Sequence, residues 1–339
     1  MDSRKLTVMG IAVIAVMATA ALAMAIGPKP ISLATDKTGE SELADLLEEH
    51  APRASRNIAA FTHREGQSTF AGLGADEHTE FEIGSITKTF TAELLSNALH
   101  RGDLTLDTTV GEIFDIPGAE AEDITMEELA THTSGLPRLS RMDLRAFTST
   151  MTGGNPYADY TNEELIEDTR DASLSDRGEF SYSNFGFALL GQLIAKASGA
   201  TYPELLKEEI LVPLKMDETY LMVPGSVPGD APRGLTSRGR ESEAWEMDAD
   251  APAGALRSTA HDMAIYAEYI LSKTMPDYTW IHDDENNFFF HNGGTGGFRS
   301  MLIIDPSSHT ATFAINDTTA AVDELGAVLI NDLIKDEVS

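Results

Sequence analysis

The chain has 339 residues, 42% of them hydrophobic, which is enough for one or two domains around a sizeable core and too apolar for a disordered chain. Its 55 Asp and Glu against 24 Lys and Arg give a net charge of −31, a surface that repels nucleic acid and anionic lipid. Cysteine is absent, so disulfides, thiolate nucleophiles and cysteine-held metals are excluded.

In chain order, Arg4 and Lys5 precede an uncharged apolar run over 6–26, with small-x-small sites at Ala21-Leu22-Ala23 and Ala23-Met24-Ala25. Residues 1–26 therefore read as a signal peptide, and the length also suits an uncleaved membrane anchor. Either way the folded part is exported: periplasmic, extracellular or tethered on the outer side of the cytoplasmic membrane. Residues 27–40 read as a linker, rich in Gly, Pro, Ser, Thr and Lys.

From Ser41 to Leu47 the spacing is helical. Asn57 to Phe61 and Ser68 to Phe70 read as strands joined by a turn near Gly66. Ser85 to Leu99 is helical and Gly102 ends it. Thr125 with Glu128, and Thr161 with Glu164, form capping boxes. Phe185 to Ser198 is an apolar helix stopped by Gly199, and Ser258 to Leu271 is another helix. Phe288 to His291, Phe298 to Ile304 and Thr310 to Ile315 read as strands, with a last helix over Val322 to Ile334. Strands at both ends with helices between them point to an α/β fold of the α+β kind. An antiparallel sheet built from 41–84 and 251–339 is flanked by helices, and a helical lobe is inserted at about 85–250 of a domain spanning 41–339.

Three motifs bear on chemistry. In Ser85-Ile86-Thr87-Lys88, residues i and i+3 share a helix face, so Lys88 can reach the Ser85 hydroxyl and help take its proton. Ser85 stands at the helix start, where backbone N–H groups favour an oxyanion. In Tyr182-Ser183-Asn184 the phenol is a candidate base and the amide can bond both lysine and substrate. Tyr160-Thr161-Asn162 has the same spacing, but there Thr161 as a helix cap is a sufficient explanation. In His291-Asn292-Gly293-Gly294, the glycines let a substrate approach the backbone, and the Gly294 N–H can serve as a second oxyanion donor beside that of Ser85. The remaining histidines lack ligand spacing, so no metal and no cofactor is expected.

These motifs, in this order, resemble the serine β-lactamase and penicillin-binding-protein family, in the branch of class C β-lactamases, D-alanyl-D-alanine carboxypeptidases and related esterases. Phe81-Glu82-Ile83-Gly84, His132-Thr133-Ser134-Gly135-Leu136-Pro137 and Gly254-Ala255-Leu256-Arg257-Ser258-Thr259 fit it too. The resemblance implies that Ser85 is the acylated nucleophile, that Lys88 and Tyr182 handle its proton, and that Asn184, His291 and Asn292 orient substrate. It makes His132 to Gly135 a packing and turn feature. Between Lys88 and Tyr182 the acylation base stays open.

The third motif departs from the family's Lys-Thr-Gly. Histidine is mostly neutral at pH 7 and Asn292 lacks a hydroxyl, so a substrate carboxylate is held less strongly. Arg299 could compensate, although a solvated strand residue accounts for it more simply. The expected partner is a small acyl substrate, with esters and peptide-like amides ahead of D-alanyl peptides and β-lactams. The reading from another class is an envelope binding or sensing protein without turnover. The segment before His291 is short, and within it Tyr278-Thr279-Trp280-Ile281 reads as the remnant of an edge strand.

Overall fold

The computed structural model describes residues 27–140, 148–149 and 152–335. The apolar run over 6–26 lies outside them. In chain order come strand β1 (Lys37–Gly39), helix α1 (Ser41–His50), β2 (Ile58–Arg64), β3 (Gln67–Leu73) and β4 (Phe81–Glu82). Helix α2 (Thr87–Arg101) follows a 3-10 turn, Gly84–Ile86; then come α3 (Asn162–Asp171), α4 (Asn184–Ser198), β5 (Tyr220–Leu221), α5 (Ala251–Gly254) and β6 (Leu256–Ser258). The described residues end with α6 (Ala260–Leu271), β7 (Ile281–Asp283), β8 (Phe288–Gly294), β9 (Arg299–Asp305), β10 (Thr310–Asn316) and α7 (Asp323–Lys335). Among the described residues, seven strands form one antiparallel sheet in the order β1-β3-β2-β10-β9-β8-β7, and β4-β6-β5 form a second.

Both faces of the large sheet are buried, which is why its central strands carry short apolar runs, Ile58 to Phe61, Met301 to Ile304 and Phe313 to Ile315. In β2, Ile58 and Ala60 join one core cluster while Ala59 and Phe61 join the other; in β9, Met301 and Ile303 alternate with Leu302 and Ile304 in the same way. Helices α1 and α7 cover the first face through Leu43, Leu47, Leu325 and Leu329. Helix α6 packs on the second, over Phe61 and Phe313, whose rings stack at 5.8 Å.

The local signals act as read. Gly102 and Gly199 cap α2 and α4 in the left-handed conformation, and Thr125 and Thr161 close reciprocal capping boxes. Four readings need correction. The segment read as a linker carries β1, which pairs with β3 from Lys37↔Leu73 to Gly39↔Ala71; three residues without a large apolar side chain give no strand signal, and backbone pairing with β3 places them, helped by Thr38 Oγ1 donating to Ala75 O. The sheet therefore starts before residue 41. The region read as a helical insert contributes β5 to the small sheet. Ser258 ends strand β6 rather than opening a helix, because Thr259 is the cap of α6, its side chain accepting from Asp262 N–H. The edge strand is β7, and Tyr278 to Trp280 precede it. Among the described residues no helix is long and apolar enough to cross a membrane.

Candidate active site

Strand β4 delivers the chain to Ser85. Its Glu82 pairs across the small sheet with Arg257, both fully buried, with Nη1 3.6 Å from Oε1. Gly84 then takes φ +54°, and the chain enters the 3-10 turn, where Thr87 Oγ1 donates to Gly84 O at 2.7 Å and accepts from Leu256 N–H at 3.1 Å. A Cβ at Gly84 would stand 2.5 Å from Gly294 N, so the end of β8 lies against the backbone just before Ser85. Ser300 Oγ donates to Ile83 O at 2.8 Å and locks the same junction. Gly84→Ala is expected to lower stability by about 2–5 kcal/mol, combining left-handed strain and overpacking against backbone, read by thermal or urea unfolding.

Lys88 is fully buried one turn beyond Ser85. Its Nζ donates to Ser85 Oγ at 3.2 Å, Asn184 Oδ1 at 2.8 Å and Ala253 O at 2.6 Å. An ammonium has three N–H donors, and here each meets an oxygen. Ala253 reaches it because α4 and α5 touch closely: a Cβ at Gly191 would fall 2.3 Å from Pro252. Burial pulls the Lys88 pKa down, opposed by the Tyr182 phenol and, more weakly, by Asp250.

Tyr182 lies beside this network, with Lys88 Nζ 4.9 Å and the Arg138 guanidinium 5.0 Å from its ring centre. Ser183 caps α4 through Gly186 N–H (2.8 Å) and donates to Pro137 O (2.7 Å), which fixes the residues on either side. Tyr160, the alternative of equal spacing, instead donates to Asp168 at 2.8 Å. His132 is buried under Tyr182, ring centres 4.5 Å apart, and its Nδ1 accepts from Ser183 N–H at 3.1 Å. Burial and then the Lys88 charge push its pKa down to about 3, so it is a neutral platform for Tyr182.

On the facing strand, buried His291 donates from Nδ1 to Asn292 O at 2.8 Å, leaving Nε2 as the acceptor. Its pKa is pulled down to about 4, by burial first and Lys88 second, so it carries no charge at neutral pH. The Asn292 amide donates to Asp323 at 2.7 Å, which ties it to the start of α7. Arg299 is not the solvated strand residue that its position in the sequence suggests. Its Nη1 donates to Thr295 O and Phe298 O, both at 2.7 Å, and the guanidinium lies over Gly294.

Ser85, Tyr182, Asn184, His291, Asn292 and Gly294 all line one cleft of about 1060 Å³. Exposed Phe180 and Ile281, with Tyr157, Trp245 and Met247, give it apolar walls. Two lining residues escape sequence reasoning. Asp250 is buried near Lys88, its pKa pushed up to about 7 by burial against the opposing lysine charge. The Tyr157 hydroxyl lies 3.5 Å from Asn184 Nδ2. Neither belongs to a motif, since only the packing of α5 and of the loop before α3 brings them in. The fold also gathers His78, Glu218 and His261, far apart in sequence, within 4.8 Å of one another, so spacing along the chain was no guide to ligand clusters.

The arrangement can be set beside known proteins. A family model described as Beta-lactamase matches residues 45–279, well over half of the chain. The chain is 27% identical over 229 residues to a β-lactamase of Providencia stuartii, covering 67% of this chain and 56% of that one. It is 33% identical over 154 residues to the D-alanyl-D-alanine-carboxypeptidase/endopeptidase AmpH of Escherichia coli, covering 42% and 37%. The chain thus spans little more than half the length of these relatives, or less. Among solved structures, a class C β-lactamase superposes with a TM-score of 0.71 at 18% identity, over 86% of this chain and 94% of that one. The octameric penicillin-binding protein homologue from Pyrococcus abyssi gives 0.67 at 24% identity, over 82% and 72%. These two likenesses establish the fold.

Proposed function

The chain belongs to the β-lactamase family, and on that premise we propose that it is an exported serine hydrolase that cleaves a small ester or peptide-like amide through an acyl-serine intermediate. The observation that carries the reading is Lys88, fully buried with its Nζ 3.2 Å from Ser85 Oγ and anchored on Asn184 and Ala253. Asn184 Oδ1 and Ala253 O only accept, so they hold two N–H groups in either protonation state. The Ser85 contact alone can reverse: charged Lys88 donates to it, and neutral Lys88 accepts its proton.

Ser85 Oγ attacks the substrate carbonyl carbon while its proton passes to Lys88 or Tyr182. The backbone N–H groups of Ser85 and Gly294 receive the oxyanion. Collapse breaks the carbonyl bond to the leaving group, which departs with that proton. Water then attacks the acyl-serine and releases acid and free Ser85. Asn184, His291 and Asn292 orient substrate. Neutral His291 and an Asn292 amide already paired to Asp323 favour a substrate without a carboxylate at that wall, and the apolar lining suits an uncharged acyl group.

Intact mass over time, after adding a phenyl ester or benzylpenicillin to the protein, tests this. The ester is expected to be consumed with a transient acyl mass on Ser85, and benzylpenicillin to give little adduct. A lasting penicilloyl adduct would move the reading to a penicillin-binding protein, and one that forms and decays to a β-lactamase. Folded protein that turns over neither ester nor penicillin would favour a binding or sensing role.

A further inference from the structure

Outside the cleft, three side chains converge from segments far apart in sequence. His78 lies in the turn before β4, Glu218 just before β5, and His261 in the first turn of α6. His78 Nδ1 is 2.9 and 3.1 Å from the two Glu218 oxygens, and His261 Nδ1 is 3.9 Å from one of them. The two imidazoles stand 5.1 Å apart, centre to centre. Glu218 is oriented from outside the trio: Thr259 Oγ1 donates to its Oε2 at 2.9 Å, and its own N–H donates to Asp262 Oδ2 at 2.9 Å. His261 N–H donates to Glu77 O at 2.9 Å, and Asp262 Oδ1 stands 3.2 Å from His261 Nδ1.

We propose that His78, Glu218 and His261 form a binding site for a divalent transition metal, zinc by ligand chemistry, which staples the turn before β4 to the start of α6. Two imidazole nitrogens and one carboxylate are a zinc set that leaves a fourth position for water or Asp262. A tetrahedral zinc with bonds of roughly 2.0–2.2 Å puts its ligand atoms about 3.4 Å apart. Measured to the one oxygen Glu218 Oε2, His78 Nδ1 at 3.1 Å and His261 Nδ1 at 3.9 Å bracket that spacing, and all three ligand atoms lie within 4.8 Å of one another, so closure takes side-chain rotations. His78 is exposed and the other two are half-buried, so they are free to make them. His78 Nδ1 faces Glu218, and His261 Nδ1 stands between Asp262 Oδ1 at 3.2 Å and Glu218 Oε2 at 3.9 Å. Without a metal each Nδ1–H donates to a carboxylate; with zinc those protons leave, and both Nδ1 lone pairs and the Glu218 carboxylate face one ion. The Thr259 hydroxyl bonded to Glu218 is the kind of outer contact that fixes a ligand. Magnesium and calcium prefer all-oxygen sites and fit poorly.

The test uses untagged, chelator-treated full chain, titrated with zinc chloride by calorimetry and followed by thermal melting. One zinc per chain is expected, with a midpoint rise of about 5 °C at free zinc near ~100 times Kd. Magnesium and calcium should have no such effect. His78→Ala and His261→Ala should each weaken zinc at least tenfold while their metal-free forms melt near the wild-type temperature. His78→Gln and Glu218→Gln serve if either alanine variant fails to fold. Absence of one-to-one zinc binding, undiminished binding by the variants, or calcium bound as tightly as zinc would each overturn the proposal.

Discussion

Ser85→Ala is expected to lower kcat for the best ester by roughly 10⁵–10⁶-fold, or about 7–8 kcal/mol of transition-state stabilisation. The loss is that large because no other hydroxyl takes the place of the nucleophile, and what remains comes from binding and the oxyanion donors. The protein should stay folded. Only the 3.2 Å contact to Lys88 is lost, while Asn184 and Ala253 still hold the ammonium. A hydrogen bond from a charged donor contributes about 1.5–3 kcal/mol when buried, and Ser85 is only partly buried. The variant should therefore melt within a few degrees of wild type, still bind substrate, and give no acyl mass. Ester hydrolysis at an undiminished rate would place the nucleophile elsewhere and remove the basis of the proposed mechanism.

What the sequence made legible was mostly local. Gly102, Gly199, Thr125 and Thr161 act on the turn they sit in, so their caps were readable from a few neighbours. The two-faced strands β2, β9 and β10 announced themselves because their middle residues, such as Ile58 to Phe61, Met301 to Ile304 and Phe313 to Ile315, are apolar on both faces. The Ser85 to Lys88 pairing is also local, one helical turn. Strand β1 was hidden because Lys37-Thr38-Gly39 has no apolar pattern and takes its order from β3. Asp250, Tyr157 and the His78 cluster depend on contacts between distant segments. No spacing rule along the chain reaches them. His132 lies between the two cases: its motif was readable as a turn, but its place beneath Tyr182 was not.

Tyr182→Phe is expected to lower kcat by about 10²–10⁴-fold, the usual worth of a positioned acid–base group, with little change in melting temperature. The ring carries the packing: His132 lies beneath it at 4.5 Å, with Lys88 and Arg138 at 4.9 and 5.0 Å, and phenylalanine keeps all three contacts. Only the hydroxyl is removed, and with it one of the two groups able to move the Ser85 proton. The outcome separates their shares. Burial pulls the Lys88 pKa down and the Tyr182 phenol opposes that shift, so removing the phenol should push Lys88 further toward the neutral amine. If Lys88 alone were the acylation base, Tyr182→Phe would keep its acylation rate and move the alkaline-rising limb of kcat/KM to lower pH, because the neutral amine forms sooner. If Tyr182 shares the proton, the acylation rate falls across the whole pH range and no shift of that limb restores it. Stopped-flow acylation against pH, on both proteins, decides between them.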